Sequence, residues 1–243
     1  MKYSSPASLK ELSRYLPFPI PILSGPARGL WWKNTSQTLN GYWLGTYEVA
    51  VQQALAKLLQ PGDTFWDVGA QSGFFSLLAS KRVGPDGKVY SLEPLPQNCQ
   101  TLQQQRQLNQ FPQWELLEAA LWNHCDGIVL EESNAFTSTA KELTKQNSAT
   151  TPSVSLQKLS ETWQAPNVVK VDIEGAEATA FHSLPASLLP DTTSYILEIH
   201  GAEAGSIMDQ YARQNQLAWY DLGFNSIATP PEWGQCLLLP ISH

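Results

Sequence analysis

TFWDVGAQSG, residues 64–73, is the stretch that decides the fold. Its first half is a short, largely apolar run typical of a buried β-strand, and the FFSLLASKR that follows Gly73 has helical apolar spacing. Gly69 and Gly73 lie in the loop between them, where a missing Cβ lets the backbone turn sharply and approach a ligand. The stretch therefore predicts a strand, a glycine loop and a helix, with a ligand at the loop.

The same alternation continues along the chain on the C-terminal side. Strand-like and helix-like segments follow one another in the order KVYSLEP (88–94), a helix over 97–109, WELLEAAL (114–121), a helix over 156–161, NVVKVDIEG (167–175) and SYILEIHG (194–201). This βαβ rhythm predicts an α/β fold with a parallel sheet and helices on both faces. FNSIAT (224–229) and QCLLLP (235–240), separated by Pro230 and Pro231, predict an antiparallel hairpin that closes the sheet.

The N-terminal part of the chain has a different composition. Residues 1–45 are rich in proline, glycine and tryptophan, which predicts an irregular arm, and an apolar helical pattern begins after Thr46. We therefore divide the chain into an arm or lid over 1–45 and one α/β domain over 46–243.

Charge and hydropathy limit the classes of partner that we expect the protein to bind and the compartment in which we expect it. The chain of 243 residues has a net charge of −7 with its Lys and Arg scattered, so we expect no nucleic-acid partner. It has no apolar run of the roughly 20 residues that a membrane helix needs, nor one of signal-peptide length near Met1. We expect a cytoplasmic protein that does not bind membranes, and the sequence does not fix its oligomeric state.

The glycine loop lacks the elements that bind phosphates. It has neither the G-x-G-x-x-G of dinucleotide enzymes nor the G-K-[ST] of P-loop proteins, so a nucleoside without phosphates, such as S-adenosylmethionine, is the candidate ligand. Glu93, at the end of the next strand, is placed to accept hydrogen bonds from two ribose hydroxyls. The alternative is that Gly69 and Gly73 only make a tight turn and that Glu93 is a solvated acid.

The order of five motifs resembles the FkbM family of class I methyltransferases. These motifs are GYWLGTYE, PGDTFWDVGAQSGFFSLLAS, GKVYSLEPLPQN, VVKVDIEGAEATAF and ILEIHG, between residues 41 and 201. The resemblance implies a Rossmann-like, seven-stranded, mostly parallel sheet and S-adenosylmethionine as methyl donor. It implies a hydroxyl oxygen as acceptor, on a small metabolite, natural product or sugar.

The resemblance also implies roles for single residues. Donor-binding roles fall on Asp67, Gly69, Ala70, Gly73 and Glu93, and Asn98 supports the helix that follows. The chain departs from the family pattern at Gln105-Arg106, where an asparagine is common, and we expect little consequence for the cofactor.

Polar side chains end two of the predicted strands. Asp172 and Glu174 alternate at the end of one strand, as do Glu198 and His200 at the end of the other, so each pair faces one way. One hypothesis makes His200 the general base, with Asp172 and Glu174 beside it; the other makes Asp172 and Glu198 ligands of a Mg²⁺ ion. The alternative to both is a structural Glu198–His200 pair with Glu174 capping a helix. Lys170 is interpreted as a strand residue.

Aromatic residues of the arm are candidates for binding the acceptor. These are Trp31, Trp32, Trp43 and Tyr47, which could hold a flat, sugar-like or apolar molecule or simply pack the arm onto the domain. Glu198 is a further candidate for binding the acceptor. Glu48 is predicted to hydrogen-bond the donor or its loop. The polar stretch 131–153 around Phe136 is predicted to be a lid over the acceptor.

Two other functions compete with O-methylation. An N-methyltransferase is disfavoured because VDIEG stands where an N-P-P-Y loop would follow the strand. A catalytically silent module that binds S-adenosylmethionine and uses its aromatic arm to hold a partner predicts donor binding without turnover.

Overall fold

A computed structural model of the chain describes residues 18–34, 41–132, 138–141, 151–182 and 184–241. Its strands are β1 Ile20–Pro21, β2 Trp31–Trp32, β3 Thr64–Val68, β4 Lys88–Leu92, β5 Trp114–Leu117, β6 Ala120–Leu121, β7 Val129–Glu132, β8 Ser138–Lys141, β9 Ser153–Val154, β10 Val168–Val171, β11 Ser194–His200, β12 Leu217–Tyr220 and β13 Trp233–Pro240. Its helices are α1 Gly41–Leu44, α2 Val49–Leu58, α3 Phe74–Val83, α4 Pro96–Asn109, α5 Leu156–Thr162, α6 Glu177–Phe181 and α7 Ala202–Gln214.

The central sheet has seven strands in the order β12-β13-β11-β10-β3-β4-β5. The pairs from β5 through β11 are parallel, whereas β13 runs antiparallel to both β11 and β12. This confirms the predicted Rossmann-like α/β fold with a mostly parallel sheet. Because β3 lies between β10 and β4, all five of its residues are buried, and Asp67 is the single ionisable residue among them.

The C-terminal hairpin is present, but one of its strands was predicted in the wrong place. QCLLLP lies in β13, as predicted, while its partner β12 precedes FNSIAT. Residues 224–229 form no strand, and Ser226 makes only an isolated antiparallel bridge with Tyr220. The chain turns here because Asp221 Oδ1 accepts hydrogen bonds from the backbone N–H groups of Gly223 at 2.8 Å and Asn225 at 2.9 Å. Such local side-chain bonds compete with strand pairing.

Two apolar layers cover the faces of the sheet. Alternation along β3 sends Trp66 into one layer and Phe65 into the other, as the period of two in a strand requires. Ile22 and Trp32, from the described part of the arm, are buried in the same layer as Phe65. The arm residues 18–34 therefore pack onto the domain.

The helices are short and cover the sheet. The longest among the described residues is α4, with 14 residues, and it runs back across the sheet from the carboxyl end of β4. In the part of the chain that the structure describes, no helix has both the length and the apolar character needed to span a bilayer.

Candidate functional site

A cleft opens at the carboxyl ends of β3, β4 and β10. Its walls come from the glycine loop, the segment after β4, β6 and the loop after β10. The lining residues are Gly69, Gln71, Leu92, Glu93, Pro94, Leu95, Ala119, Ala120, Leu121, Leu130, Asp172, Ile173, Glu174 and Ala176. Ligands of open α/β sheets bind at this edge, so the cleft is the candidate nucleoside site.

Glu93 is fixed by the loops on either side of it. Its carboxylate accepts hydrogen bonds from the backbone N–H of Gln71 at 2.8 Å, the backbone N–H of Leu95 at 3.0 Å and the Asn98 side-chain amide at 3.0 Å. Burial raises the pKa of Glu93 above its ordinary value, although these three hydrogen bonds oppose the shift. Glu93 therefore reaches the cleft wall in one defined orientation.

The two glycines of the loop are required by packing within the protein. Gly69 has φ +82°, and a Cβ there would lie 1.8 Å from the carbonyl oxygen of Asp172. Gly73 has φ +83°, and its Cβ would lie 2.4 Å from the Leu102 side chain. A Cβ at either position would thus meet protein atoms, so close approach to a ligand is not the main reason for glycine here.

Asp67 lies beneath the glycine loop and lines neither this cleft nor the cavity beside it. It is fully buried, and its Oδ2 accepts a hydrogen bond of 2.5 Å from Ser76 Oγ. Burial raises the pKa of Asp67, while Lys170, its register partner on β10, opposes that shift. Oδ1 of Asp67 is buried without a hydrogen-bond partner. The buried position of Asp67 does not support direct contact with a donor. Its donor-binding role therefore stays a prediction.

A second, smaller cavity adjoins the first. It is lined by Tyr42, Tyr47, Gly69, Ala70, Gln71, Ser72, Phe74, Phe75, Lys170 and Asp172. Tyr42 donates a hydrogen bond of 2.9 Å to Gln71 Oε1, which ties the end of the arm to the glycine loop. Three residues, Gly69, Gln71 and Asp172, line both cavities.

The predicted acceptor-binding aromatics do not form one surface. Trp32 is fully buried and stacks on Tyr42 from behind, with ring centroids 4.8 Å apart. Trp31 is exposed, but its backbone pairs with Asn109, the last residue of α4, at the opposite edge of the sheet. Trp43 packs against the core layer of the arm. Of the four, Tyr47 lines the smaller cavity, and Phe136 lies outside the described residues.

His200 is held by an acid that was not predicted. Its Nδ1 lies 2.8 Å from Oε1 of buried Glu177, and its Nε2 lies 3.8 Å from Glu174 and 3.9 Å from Glu198. The hydrogen bond to Glu177 raises the pKa of His200 to about 9. At neutral pH the ring is an imidazolium with no free lone pair for a proton. The general-base role of His200 stays a prediction, and a raised pKa disfavours it.

We expect a Glu177→Gln variant to return the pKa of His200 from about 9 toward 6.5, because the amide removes the charge that stabilises the imidazolium. A titration of the His200 ring protons by NMR measures this, with the exposed Glu203→Gln on α7 as control. Since the folded-state pKa is raised, the contribution to stability is complete below about pH 6.5 and is lost as the pH rises through about 9. An unchanged titration in Glu177→Gln would contradict the assignment.

A side-chain amide joins two further acids next to His200. Gln235 Nε2 donates to Glu48 Oε2 at 2.9 Å and to Glu198 Oε2 at 3.1 Å. Burial raises the pKa of Glu48, whose backbone is left-handed with φ 40°. The structure thus brings Glu48, Glu198 and His200 to one edge, although Glu48 contacts Gln235 and lines neither cavity.

Three residues of this site were missed or discounted in the sequence. Glu177 and Gln235 were overlooked, and Lys170 was interpreted only as a strand residue. Gln235 lies opposite Glu198 only through the antiparallel register of β13 on β11, for which no signal was visible in the sequence. Glu177 stands two residues after the VDIEG motif, and nothing in the sequence distinguished it from the acids before it.

The magnesium hypothesis gains no support. Within the described ranges, no group of three or more His, Cys, Asp or Glu side chains could hold a metal ion. Asp172, one of the two predicted ligands, has Oδ2 3.1 Å from Lys170 Nζ, so its charge is already paired.

Comparison with known proteins gives one family and several solved structures. Residues 67–216 match the model of the methyltransferase FkbM domain, and no curated protein matches the chain. The precorrin-6y C5,15-methyltransferase of Geobacter metallireducens is 14% identical with a TM-score of 0.49, covering 79% of this chain and 87% of that one. An FkbM methyltransferase of Methylobacillus flagellatus is 15% identical with a TM-score of 0.45, covering 84% of this chain and 54% of that one.

Aeropyrum pernix fibrillarin, solved with natively bound S-adenosylmethionine, is also similar. It is 13% identical with a TM-score of 0.47, covering 78% of this chain and 74% of that one. The family match spans more than half of the chain and is the finding on which its classification rests.

Proposed function

The chain belongs to the FkbM methyltransferase family, and from this premise we propose that it methylates a hydroxyl oxygen of a small molecule with S-adenosylmethionine as donor. The observation that carries the proposal is the position of Asp172, which lines both the nucleoside cleft and the aromatic cavity. A carboxylate at that junction can lie next to the methyl group and next to the acceptor hydroxyl. Methyl transfer to oxygen needs such a group, because the hydroxyl must lose its proton.

The residues of the large cleft fit the donor. Glu93 offers a buried carboxylate to the two ribose hydroxyls, and Leu95, Ala120 and Leu121 offer an apolar surface to the adenine. The donor supplies a methyl group on a sulfonium cation. Asp172 and Glu174 place negative charge beside that cation, which favours its binding.

Asp172 is the residue to which we assign the acceptor proton, with Glu174 beside it. Glu174 lines the same cleft, and burial, followed by the nearby charge of Asp172, raises the pKa of its carboxyl. His200 stays protonated and stabilises the surrounding carboxylates. Glu177 holds His200 and also accepts hydrogen bonds from the backbone N–H of Ile173 at 3.3 Å.

The acceptor is proposed to be an uncharged or cationic small molecule. Glu174, Glu177 and Glu198 surround His200, and Glu48 is joined to Glu198 through Gln235, so carboxylates outnumber cations on this side of the cleft. Phosphate groups would meet net negative charge here, which argues against a nucleic-acid acceptor.

Transfer of a labelled methyl group from S-adenosylmethionine tests the proposal. The purified protein is incubated with a panel of small alcohols, phenols and glycosides, and with amine analogues of the same molecules. Label on a hydroxylated acceptor, in protein that binds the donor, is the expected result. Label on the amines alone would support N-methylation, and donor binding without transfer to any acceptor would favour the silent binding module.

A further inference from the structure

A buried ammonium group faces the smaller cavity, and the reaction proposed above does not use it. We propose that this cavity is the subsite for the amino-acid end of the donor, and that Lys170 binds the donor's α-carboxylate there. The inference rests on the proposed function, since it presupposes that S-adenosylmethionine occupies the larger cleft. It adds a binding role for a residue that the sequence suggested was only part of a strand.

Lys170 is an unusual residue for its position. It lies in the third place of β10, between β3 and β11, where both neighbouring strands are parallel and the other three residues of β10 are apolar. Only 5% of its surface is exposed, and its ammonium lies 5.3 Å from the centre of the Phe75 ring. Burying a lysine in the centre of a sheet costs free energy that an apolar residue would avoid, which points to a role for its charge.

The charge of Lys170 is maintained by surrounding acids. Burial lowers the pKa of Lys170, but the carboxylates of Asp172, Asp67 and Glu48 together raise it above its ordinary value. An ammonium has three N–H donors, and among the described residues only Asp172 accepts a hydrogen bond from it, at 3.1 Å. Two donors therefore remain for a ligand in the cavity that Lys170 lines.

The charges of the cavity select a zwitterion. A ligand that carried only a carboxylate would add a fourth negative charge to Asp67, Asp172 and Glu48 around one lysine. An α-amino acid end brings its own ammonium, which Asp172 in the cavity lining can neutralise while Lys170 binds the carboxylate. The match between both charges of the ligand and both charges of the site is the reason for the assignment.

The two cavities are joined, so one molecule can occupy both. Gly69, Gln71 and Asp172 line each of them, and the smaller cavity is walled by the rings of Tyr42, Tyr47, Phe74 and Phe75. A nucleoside bound at Glu93 would thus extend its side chain across the glycine loop to Lys170. The sulfur would lie near Asp172, where the methyl group is to be transferred.

Binding calorimetry with two nucleosides tests the inference. S-adenosylhomocysteine has the amino-acid end and 5′-methylthioadenosine lacks it, while both carry the adenosyl group. We expect Lys170→Gln to weaken S-adenosylhomocysteine binding by about 10- to 100-fold, the range for a lost charged hydrogen bond, and to leave 5′-methylthioadenosine within about threefold. Lys88→Gln, a half-exposed lysine on β4 that pairs with Glu115, is the control and should change neither.

Equal weakening of both nucleosides by Lys170→Gln would mean that Lys170 only supports the fold, and no weakening of either would also overturn the inference. If wild-type protein bound neither nucleoside, the proposed donor site would be wrong, and the inference about Lys170 would be wrong as well. If wild-type protein bound 5′-methylthioadenosine but not S-adenosylhomocysteine, the nucleoside site would be supported and the amino-acid subsite would be refuted.

A second comparison needs no variant and so is independent of whether Lys170→Gln folds. Decarboxylated S-adenosylmethionine differs from the donor only in the missing α-carboxylate. Wild-type protein should bind it at least about tenfold more weakly than S-adenosylmethionine. Equal affinity would overturn the inference.

Discussion

Glu93→Gln is expected to bind S-adenosylhomocysteine at least about 100-fold more weakly than wild type, because two charged hydrogen bonds to the ribose are lost and each contributes roughly 1.5–3 kcal/mol. The amide also turns an N–H₂ group toward one of the two backbone N–H donors, that of Gln71 or that of Leu95, which now hydrogen-bond to different oxygens of the carboxylate. Two donors then face each other in a buried site, so the loop on either side of Glu93 loses its support.

Isothermal titration measures the effect, with thermal unfolding as a check that the variant is folded. Glu115→Gln is the matched control, since Glu115 lies on the neighbouring strand β5, is exposed and pairs only with Lys88 among the described residues, at 3.6 Å. Wild-type affinity in a folded Glu93→Gln protein would show that the nucleoside lies elsewhere.

Asp172→Asn is expected to lower the rate of methyl transfer by about 10²- to 10⁴-fold at saturating donor, the usual range for the loss of a general base. The amide has nearly the shape of the carboxylate but cannot accept the hydroxyl proton. The same substitution leaves Lys170 without its ion-pair partner, so some loss of donor affinity accompanies the loss of rate.

The rate is measured with the acceptor found by the labelled-methyl panel, at several donor concentrations. Asp191→Asn is the control, because Asp191 is exposed in the turn before β11, at the edge of the sheet opposite the cleft. A normal maximal rate in Asp172→Asn would rule out Asp172 as the proton acceptor, and Glu174→Gln would be the next variant to assay.

The parts of the fold that follow from local pattern were predictable. A central parallel strand is buried on both faces, so β3, β10 and β11 appear in the sequence as short apolar runs, and the acids that end them stand out. The close placement of Asp172, Glu174 and His200 followed from two such strands ending at the same edge of the sheet.

The parts that depend on pairing between distant segments were not predictable. Trp31 and Trp32 are adjacent in sequence, yet one is exposed and the other fully buried, because neighbouring residues of a strand face opposite ways. Gln235 reaches Glu198 only through the register of β13 on β11. The protonated state of His200 depends on Glu177, which follows a loop with a left-handed residue at Glu174.

The contact between Gly69 and the Asp172 carbonyl limits how this protein could be redesigned. Position 69 cannot accept a side chain unless the loop after β10 retreats, and that loop carries Asp172 itself. An attempt to adapt the cleft to an enlarged synthetic donor by changing position 69 would therefore displace the reacting centre. Leu121 and Leu130 line the same cleft with side chains of their own, and they are the positions where space can be made.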